Sequence, residues 1–346
     1  MTESSAVLGW DIGGVNTKVV RLVTGSEGPA IRSASVPLEI KREPTALVRT
    51  LVEAARSVGG SASDLHAITM TAELSQAFRT KRAGVGFVLD ALEAAFPGGR
   101  LHVYSVDGCF LPPARARELT LAISAANWAA TAALVARSIP TCILLDIGTT
   151  SADLTPIVEG RVVAQSRTDP ERLLSGELVY TGALRTPVEA IAQQVPLWGG
   201  IAGVAADGFA LIGDVHLWLG RLAVEDYTCP TPDSQLPTRG SAGERLARVV
   251  CGDGDMLDEA AINGIAIALA KAQIQTVSRA IQRILKRSPE IGTAVVAGLG
   301  DFIAGEAAAS LGLQVVALAD ELGSAARTAP AAAVAWLLRD SVEAGL

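Results

Sequence analysis

Aromatic side chains and basic charge are both scarce in this chain. Phe, Trp and Tyr together make up 4% of its 346 residues, and 29 Lys and Arg face 36 Asp and Glu, for a formal net charge of −7. Proteins that bind nucleic acid neutralise phosphates with basic side chains and often stack bases on aromatic rings. The composition therefore predicts no nucleic-acid partner.

Cysteine and histidine are too few and too widely spaced to predict a metal or disulfide framework. The four cysteines form no Cys-x-x-Cys pair, and only three histidines accompany them. The usual spacing of zinc ligands is missing, so we expect no zinc site. We expect reduced thiols in a cytoplasmic protein.

Neither a targeting segment nor a membrane span is predicted. The first 14 residues contain acidic side chains and no basic region ahead of an apolar stretch, unlike a signal peptide. The segment closest to a membrane span, residues 119–136, is Ala-rich and contains Ser124, Asn127 and Thr131. We interpret it as a buried helix and expect no membrane contact.

The two common nucleotide-binding fingerprints are also missing. No G-x-x-x-x-G-K-[ST] string occurs, which excludes a P-loop. The string closest to G-x-G-x-x-G begins at Gly298-Leu-Gly300 and has Ile303 where the third glycine belongs. A nucleotide or phosphate site in this chain must therefore be built in another way.

The sequence contains an internal repeat. Residues 9–18 read GWDIGGVNTK and residues 144–153 read LLDIGTTSAD, and each is followed by a stretch with strand character. Both copies therefore predict a strand, a tight polar turn and a second strand. Two such copies predict a duplicated α/β fold with two lobes and a central cleft, divided at Ser138-Ile-Pro140 into residues 1–138 and 139–346.

The rest of the chain alternates between predicted helices and strands, as in an α/β fold. The predicted helices are 45–57, 84–95, 114–137, 256–286, 301–311 and 328–342, and the predicted strands are 66–70, 101–105, 293–297 and 314–318.

The two turns are candidates for phosphate binding, because turns rich in Gly, Thr and Ser expose backbone N–H groups and small hydroxyls. The predicted phosphate-binding residues are Gly13, Gly14, Asn16, Thr17 and Lys18 in the first turn and Gly148, Thr149, Thr150 and Ser151 in the second. Asp11 and Asp146 are predicted catalytic carboxylates and Mg²⁺ ligands. A plain hairpin explains one copy equally well. The presence of two matched turns favours the interpretation as phosphate-binding turns.

A third glycine-rich turn follows the strand predicted at 293–297. Gly298, Gly300 and Asp301 lie where a strand passes into a helix, and the helix N-terminus is a place for a nucleotide phosphate. An ordinary strand-to-helix turn is the alternative.

Two D-x-G turns and a late G-x-G resemble the phosphate and adenosine signatures of the actin-like ATPase fold (ASKHA, ribonuclease H-like). Longer strings are similar to the hydantoinase/oxoprolinase-related family, in the branch linked to tetrahydromethanopterin-dependent one-carbon transfer. These strings are GWDIGGVNTK, TMTAELSQAF, SAANWAATA, DIGTTSADLTPI, TDPERLLSGELVYTGALRT, GDVHLWLG and ERLARVVCGD. They run from residue 9 to residue 253, and the resemblance itself extends from about residue 8 to about residue 302, with 168–186 its most specific part.

This resemblance implies a transferase of methanofuran or methylofuran biosynthesis. Archaeal relatives of that branch join a furan carrying a diphosphate to γ-glutamyltyramine, forming an aryl ether and releasing diphosphate. For this chain we therefore expect 5-(aminomethyl)furan-3-methanol diphosphate and a phenolic amine or amino acid, of the tyramine or tyrosine type, as substrates. The sequence leaves the acceptor and a homo-oligomeric state open.

Such a reaction requires a stabilised leaving diphosphate and a deprotonated phenol. The two turns and Mg²⁺ are expected to meet the first requirement. Glu73, just after a predicted strand, is expected to act as base or metal-linked acid, although a carboxylate that accepts backbone N–H groups is the alternative. Thr71, Tyr180 and Arg185 are predicted substrate contacts.

Two other classes of protein remain open. An ATP-dependent kinase or hydrolase of the actin-like superfamily would use the turns for ATP itself, and the late glycine turn favours it because a furan diphosphate has no adenosine. An actin-like filament subunit would require nucleotide-dependent assembly. His216 is interpreted as a buried structural histidine, and Trp128, Trp198 and Trp218 as core residues.

Overall fold

The computed structural model describes residues 6–25 and 28–345. Residues 1–5, on which part of the signal-peptide prediction depends, lie outside the described residues. The α-helices are α1 Leu47–Ser57, α2 Lys81–Ala95, α3 Pro113–Glu118, α4 Thr120–Ile123, α5 Asn127–Ser138, α6 Asp169–Ser175, α7 Ile212–Trp218, α8 Arg239–Arg248, α9 Glu259–Leu285, α10 Asp301–Ala309, α11 Leu318–Leu322 and α12 Ala329–Glu343. The strands are β1 Val7–Ile12, β2 Asn16–Gly25, β3 Gly28–Pro37, β4 Leu65–Met70, β5 Arg100–Tyr104, β6 Phe110–Leu111, β7 Cys142–Ile147, β8 Ala152–Val158, β9 Arg161–Val162, β10 Leu178–Val179, β11 Gln194–Leu197, β12 Gly200–Gly203, β13 Thr293–Ala297 and β14 Gln314–Ala317.

The first sheet has the strand order β3-β2-β1-β4-β5-β6, with β1 antiparallel to β2 and parallel to β4. Strand β1 is buried on both faces. Since alternate side chains of a strand point to opposite faces, Leu8, Trp10 and Ile12 pack with α1 and α2, whereas Val7 packs with α5 and α12. This packing explains why β1 is apolar until it reaches Asp11.

The second sheet repeats the central part of this arrangement. Its order is β10-β8-β7-β13-β14, with β9 paired to β8 and with β7 parallel to β13. A separate core formed by α7, α8 and α9 includes Val215, Leu246 and Ile265. Helix α7 is fixed in this core by a fully buried ion pair, in which Arg245 Nη2 lies 2.7 Å from Asp214 Oδ1.

The chain forms two compact units that are not contiguous in sequence. The first contains the chain up to Cys142, residues 155–174 and residues from Ala317 onward, and the second contains Ile143–Leu154 and Ser175–Val316. The observed division therefore differs from the single boundary predicted between residues 138 and 139. The reason is packing, because α12 covers β1 and α5 of the first unit with Ala333, Val334 and Leu338.

Most predicted elements are present, but the long helix predicted over 114–137 is wrong. The segment is divided into α3, α4 and α5. Ala125 has φ of 49° and its N–H donates to Met70 O over 3.1 Å. A left-handed residue cannot continue an α-helix, so the bond to the end of β4 replaces a helical turn.

None of the helices in the described residues is both long enough and apolar enough to cross a membrane.

Candidate functional site

The two predicted turns have the same backbone geometry. The Gly13 N–H donates to Asn16 O over 2.9 Å, and the Gly148 N–H donates to Ser151 O over 2.9 Å. In each copy the turn joins a central strand, β1 or β7, to the strand that follows it in sequence and lies beside it in the sheet. The sequence repeat is thus a structural repeat.

The first turn leaves two backbone donors available. Its carbonyls are occupied, since Gly14 O accepts from the Ile40 N–H and Val15 O from the Leu38 N–H, both over 3.0 Å. The N–H groups of Gly14 and Val15 donate to no described residue. Adjacent unpaired N–H groups form an anion-binding concavity. Thr17, the second residue of β2, is completely buried, and its hydroxyl has no hydrogen-bond partner in the described structure.

Asp11 and Lys18 are cross-strand partners at the base of the first turn. Lys18 Nζ lies 3.4 Å from Asp11 Oδ2, and their side chains are 30% and 9% exposed. Asp11 Oδ1 is buried and accepts no hydrogen bond in the described structure. A buried carboxylate oxygen without a partner is costly unless an additional group satisfies it. This oxygen therefore fits a cation or an ordered water.

The second turn is supported by a loop that follows β10. Gly148 O accepts from the Ala183 N–H, and Thr149 O accepts from the N–H groups of Leu184 and Arg185. This support requires glycine at position 182, because a Cβ there would lie 2.4 Å from Thr150 N and 2.7 Å from Gly148 O. The N–H groups of Thr149 and Thr150 donate to no described residue.

A buried polar network fixes the loop after β10 that supports the second turn. Gln273 Nε2 on α9 donates to Thr181 Oγ1 over 2.9 Å and to Gly182 O over 2.8 Å. Its Oε1 lies 2.8 Å from His216 Nε2, so this histidine nitrogen is the donor. His216 is therefore structural, as predicted. Gln273 was not predicted, because its partners are 57 to 92 residues away in sequence.

The late glycine turn packs against the end of β7. A Cβ on Gly298, whose φ is +85°, would lie 2.4 Å from Ile147 O and 2.5 Å from Asp146 Oδ1. The Gly300 N–H donates to Ile147 O over 2.8 Å. Packing within the second unit thus explains why glycine occupies both positions, without any need for a bound adenosine. Asp301 is exposed and begins α10.

Glu73 is the most unusual ionisable group among the predicted site residues. It follows β4 in the turn Ala72–Leu74, is 2% exposed, and neither carboxylate oxygen accepts a hydrogen bond from a described residue. The backbone N–H groups of Glu73 itself and of Ala125 nevertheless favour its ionised form, so the alternative role as an acceptor of backbone N–H groups stays open. Burial raises the pKa of this carboxyl to about 7, although the Lys81 charge opposes that rise.

The other predicted substrate contacts, Thr71, Tyr180 and Arg185, differ in burial and in local surroundings. The Thr71 N–H donates to Ile12 O over 2.9 Å, which fixes the start of the Glu73 turn beside the end of β1. Arg185 is half-buried next to the second turn, whereas Tyr180 is 57% exposed. Trp128 and Trp218 are buried as predicted, but the core prediction for Trp198 is wrong, since it is 68% exposed on the β11–β12 hairpin.

Two buried histidines are expected to make the protein labile in mild acid. His66 accepts from Trp10 Nε1, His216 contacts Gln273, and burial lowers the pKa of each to about 4. Since the folded pKa lies below the unfolded value, their stabilisation is complete above pH 6.5 and is lost as pH falls through 4, roughly 3 kcal/mol each. Urea unfolding of Glu73→Gln, which removes the oppositely signed titration, should show a midpoint that falls between pH 6.5 and 4.5. A flat midpoint would contradict the assignment.

No group of three or more His, Cys, Asp or Glu side chains suited to a metal occurs within the described residues. A cation bound by Asp11 would therefore take its other ligands from phosphate or water, as Mg²⁺ commonly does.

Comparison with solved structures identifies the class of fold. A nucleotide-free acetone carboxylase, described for the mechanism of ATP-dependent acetone carboxylation, aligns with 96% of this chain and 70% of its own, with a TM-score of 0.59 and 12% identity. This α/β chain has the actin-like ATPase fold. Identity this low shows the fold alone.

Sequence comparison defines the family. The model of the hydantoinase/oxoprolinase family (Hydantoinase_A) matches residues 64–341, and the chain belongs to this family. A relative from Methanocaldococcus jannaschii is 33% identical over 339 residues, which cover 97% of this chain and 98% of the relative. Another, from Methanococcus vannielii, is 31% identical over 212 residues, 59% of this chain and 94% of that one. Both are named (4-{4-[2-(gamma-L-glutamylamino)ethyl]phenoxymethyl}furan-2-yl)methanamine synthase.

Proposed function

We propose that this protein is a transferase of methanofuran or methylofuran biosynthesis that joins a furanylmethyl group to a phenol and releases diphosphate. The relatives' name describes a phenoxymethyl-furan, which contains the ether that such a reaction forms. The structural observation that carries the proposal is Glu73, a buried carboxyl with a raised pKa that follows β4, next to the phosphate-type turn that follows β1.

Glu73 is the proposed general base. Its carboxylate accepts the phenol proton, the phenolate oxygen forms a bond to the furan CH₂, and the bond from that carbon to the diphosphate oxygen breaks. The electron pair of that bond leaves with diphosphate. A base with a pKa of about 7 is half ionised near neutral pH and accepts a proton more readily than an ordinary glutamate.

The first turn is the proposed site for the leaving diphosphate. The N–H groups of Gly14 and Val15 and the Lys18 ammonium offer donors to phosphate oxygens as negative charge develops. The second turn offers the N–H groups of Thr149 and Thr150. Asp11 Oδ1, buried without a partner, fits a Mg²⁺ ion or one of its waters, and such an ion would supply further positive charge to the diphosphate.

ATP is the competing ligand for these turns. The observation that favoured it, the glycine pair at 298 and 300, is explained by packing against β7. We therefore propose diphosphate chemistry without ATP and keep the ATP-dependent kinase or hydrolase as the outcome that would replace it.

The test is product analysis by mass spectrometry. Purified protein receives Mg²⁺, 5-(aminomethyl)furan-3-methanol diphosphate, and tyramine, tyrosine and their γ-glutamyl forms. We expect an aryl ether and an equal amount of diphosphate without ATP, and the product mass names the acceptor. A folded sample that makes no ether but converts ATP to ADP would replace the proposal with the ATP-dependent alternative.

A further inference from the structure

Lys81 bridges two carboxylates in the first unit. Its Nζ lies 3.7 Å from Glu73 Oε1 and 2.6 Å from Asp169 Oδ2. The Glu73 side chain is 0% exposed, so this end of the bridge is excluded from solvent. The side chains of Asp169 and Lys81 are 15% and 22% exposed, so the Asp169 end is accessible to solvent. An ion pair with one fully desolvated partner is not an ordinary surface salt bridge.

The backbone brings these three groups together from separate elements. Lys81 is the first residue of α2, whose start is fixed by Thr80, which accepts from the Ala83 N–H over 3.1 Å. Gly84 brings α2 against the Glu73 turn, since a Cβ there would lie 2.6 Å from Glu73 Cα. Asp169 is the first residue of α6. The ammonium is therefore held at a defined distance from Glu73.

The charges that face Glu73 come from two elements. Lys81 on α2 favours the ionised carboxylate, and Asp169 on α6 opposes it directly. The ion pair between Lys81 and Asp169 nevertheless fixes the ammonium at its position. Of these two side chains, only Lys81 can offset the cost of burying the ionised form.

We propose that Lys81, anchored by Asp169, is a positioning residue for Glu73, which it keeps available in the ionised form as a proton acceptor. Lys81 contacts no substrate in this proposal and acts only through the carboxyl group. The inference rests on the proposed function for its catalytic meaning. The effect of Lys81 on the ionisation of Glu73 does not depend on that function.

The kinetic test uses Lys81→Met, Lys81→Arg and Asp169→Asn. The acid limb of the pH profile of kcat/KM reports the base of the free enzyme. Removing a cation at this distance should move the limb upward by about 1 pH unit or more in Lys81→Met. Lys81→Arg should restore it. Asp169→Asn should also move it upward, because loss of the anchor that holds the ammonium outweighs loss of the weaker direct repulsion between Asp169 and Glu73. Arg82→Met, at the exposed neighbouring position, should leave it unchanged.

A second measurement separates this inference from the proposed function. Titration of ¹³C-labelled glutamate carboxyls by NMR, with the Glu73 signal assigned by its loss in Glu73→Gln, reports ionisation without any substrate. A higher midpoint in Lys81→Met than in wild type or Arg82→Met supports the inference even if no ether forms. Equal midpoints in all three proteins would overturn it, even if the protein proves to be the transferase.

Discussion

Glu73→Gln is expected to abolish ether formation while making the folded protein more stable at alkaline pH. The amide cannot accept the phenol proton, and loss of a general base reduces kcat by about 10²–10⁴. Burial raises the folded pKa from 4.5 to about 7, so ionising Glu73 opposes folding. A raised folded pKa means that the penalty is absent below pH 4.5 and complete above pH 7, at roughly 3 kcal/mol. Urea unfolding at pH 5 and pH 8.5 measures the difference.

The control for this prediction is Glu53→Gln. Glu53 is 61% exposed and pairs only loosely with Arg49, at 3.9 Å, so its neutralisation should change neither activity nor the pH dependence of stability. The assignment of Glu73 as base fails if Glu73→Gln retains wild-type kcat. The assignment of its ionisation fails if the stabilisation is equal at both pH values.

Gly182→Ala is expected to displace the second turn and to weaken diphosphate binding. The new methyl group would overlap backbone atoms of three residues, at 2.4 Å from Thr150 N, 2.6 Å from Thr149 C and 2.7 Å from Gly148 O. Backbone cannot rotate out of the way as a side chain can, so the turn must move. We expect a loss of about 1–3 kcal/mol in unfolding free energy and about a hundredfold loss in kcat/KM.

Calorimetric titration with inorganic diphosphate and Mg²⁺ separates the local effect from a general one. Gly264→Ala is the matched control, because this helical glycine of α9 has open space around it and alanine favours the helix. Diphosphate affinity should fall in Gly182→Ala and remain in Gly264→Ala. Unchanged affinity in Gly182→Ala would show that the second turn has no part in binding.

The sequence predicts what is local and repeated. The D-I-G strings predicted both turns because strand, glycine and polar run are adjacent in sequence, and most helices and strands followed from periodicity. Glu73 was identified by its position after a strand. Its buried environment was not predictable, because it is built by α2 and by the break at Ala125.

What the sequence does not predict depends on remote partners or on rare backbone states. Lys81 and Asp169 are 88 residues apart, and Gln273 meets Thr181 across 92 residues, with no local pattern to join them. Ala125 adopts a left-handed conformation without the glycine that would signal it. The sequence also does not predict that α12 packs on the first unit, because an alanine-rich helix is compatible with many packing partners.

The position of α12 has a consequence for how the chain is made. Residues 329–343 cover the β1 strand, whose residues leave the ribosome among the first of those described. During synthesis, the face of the first sheet that α12 covers therefore stays uncovered until residues 329–343 have been made. By contrast, Ile143–Leu154 and Ser175–Val316 of the second unit are all available to one another before α12 has been synthesised.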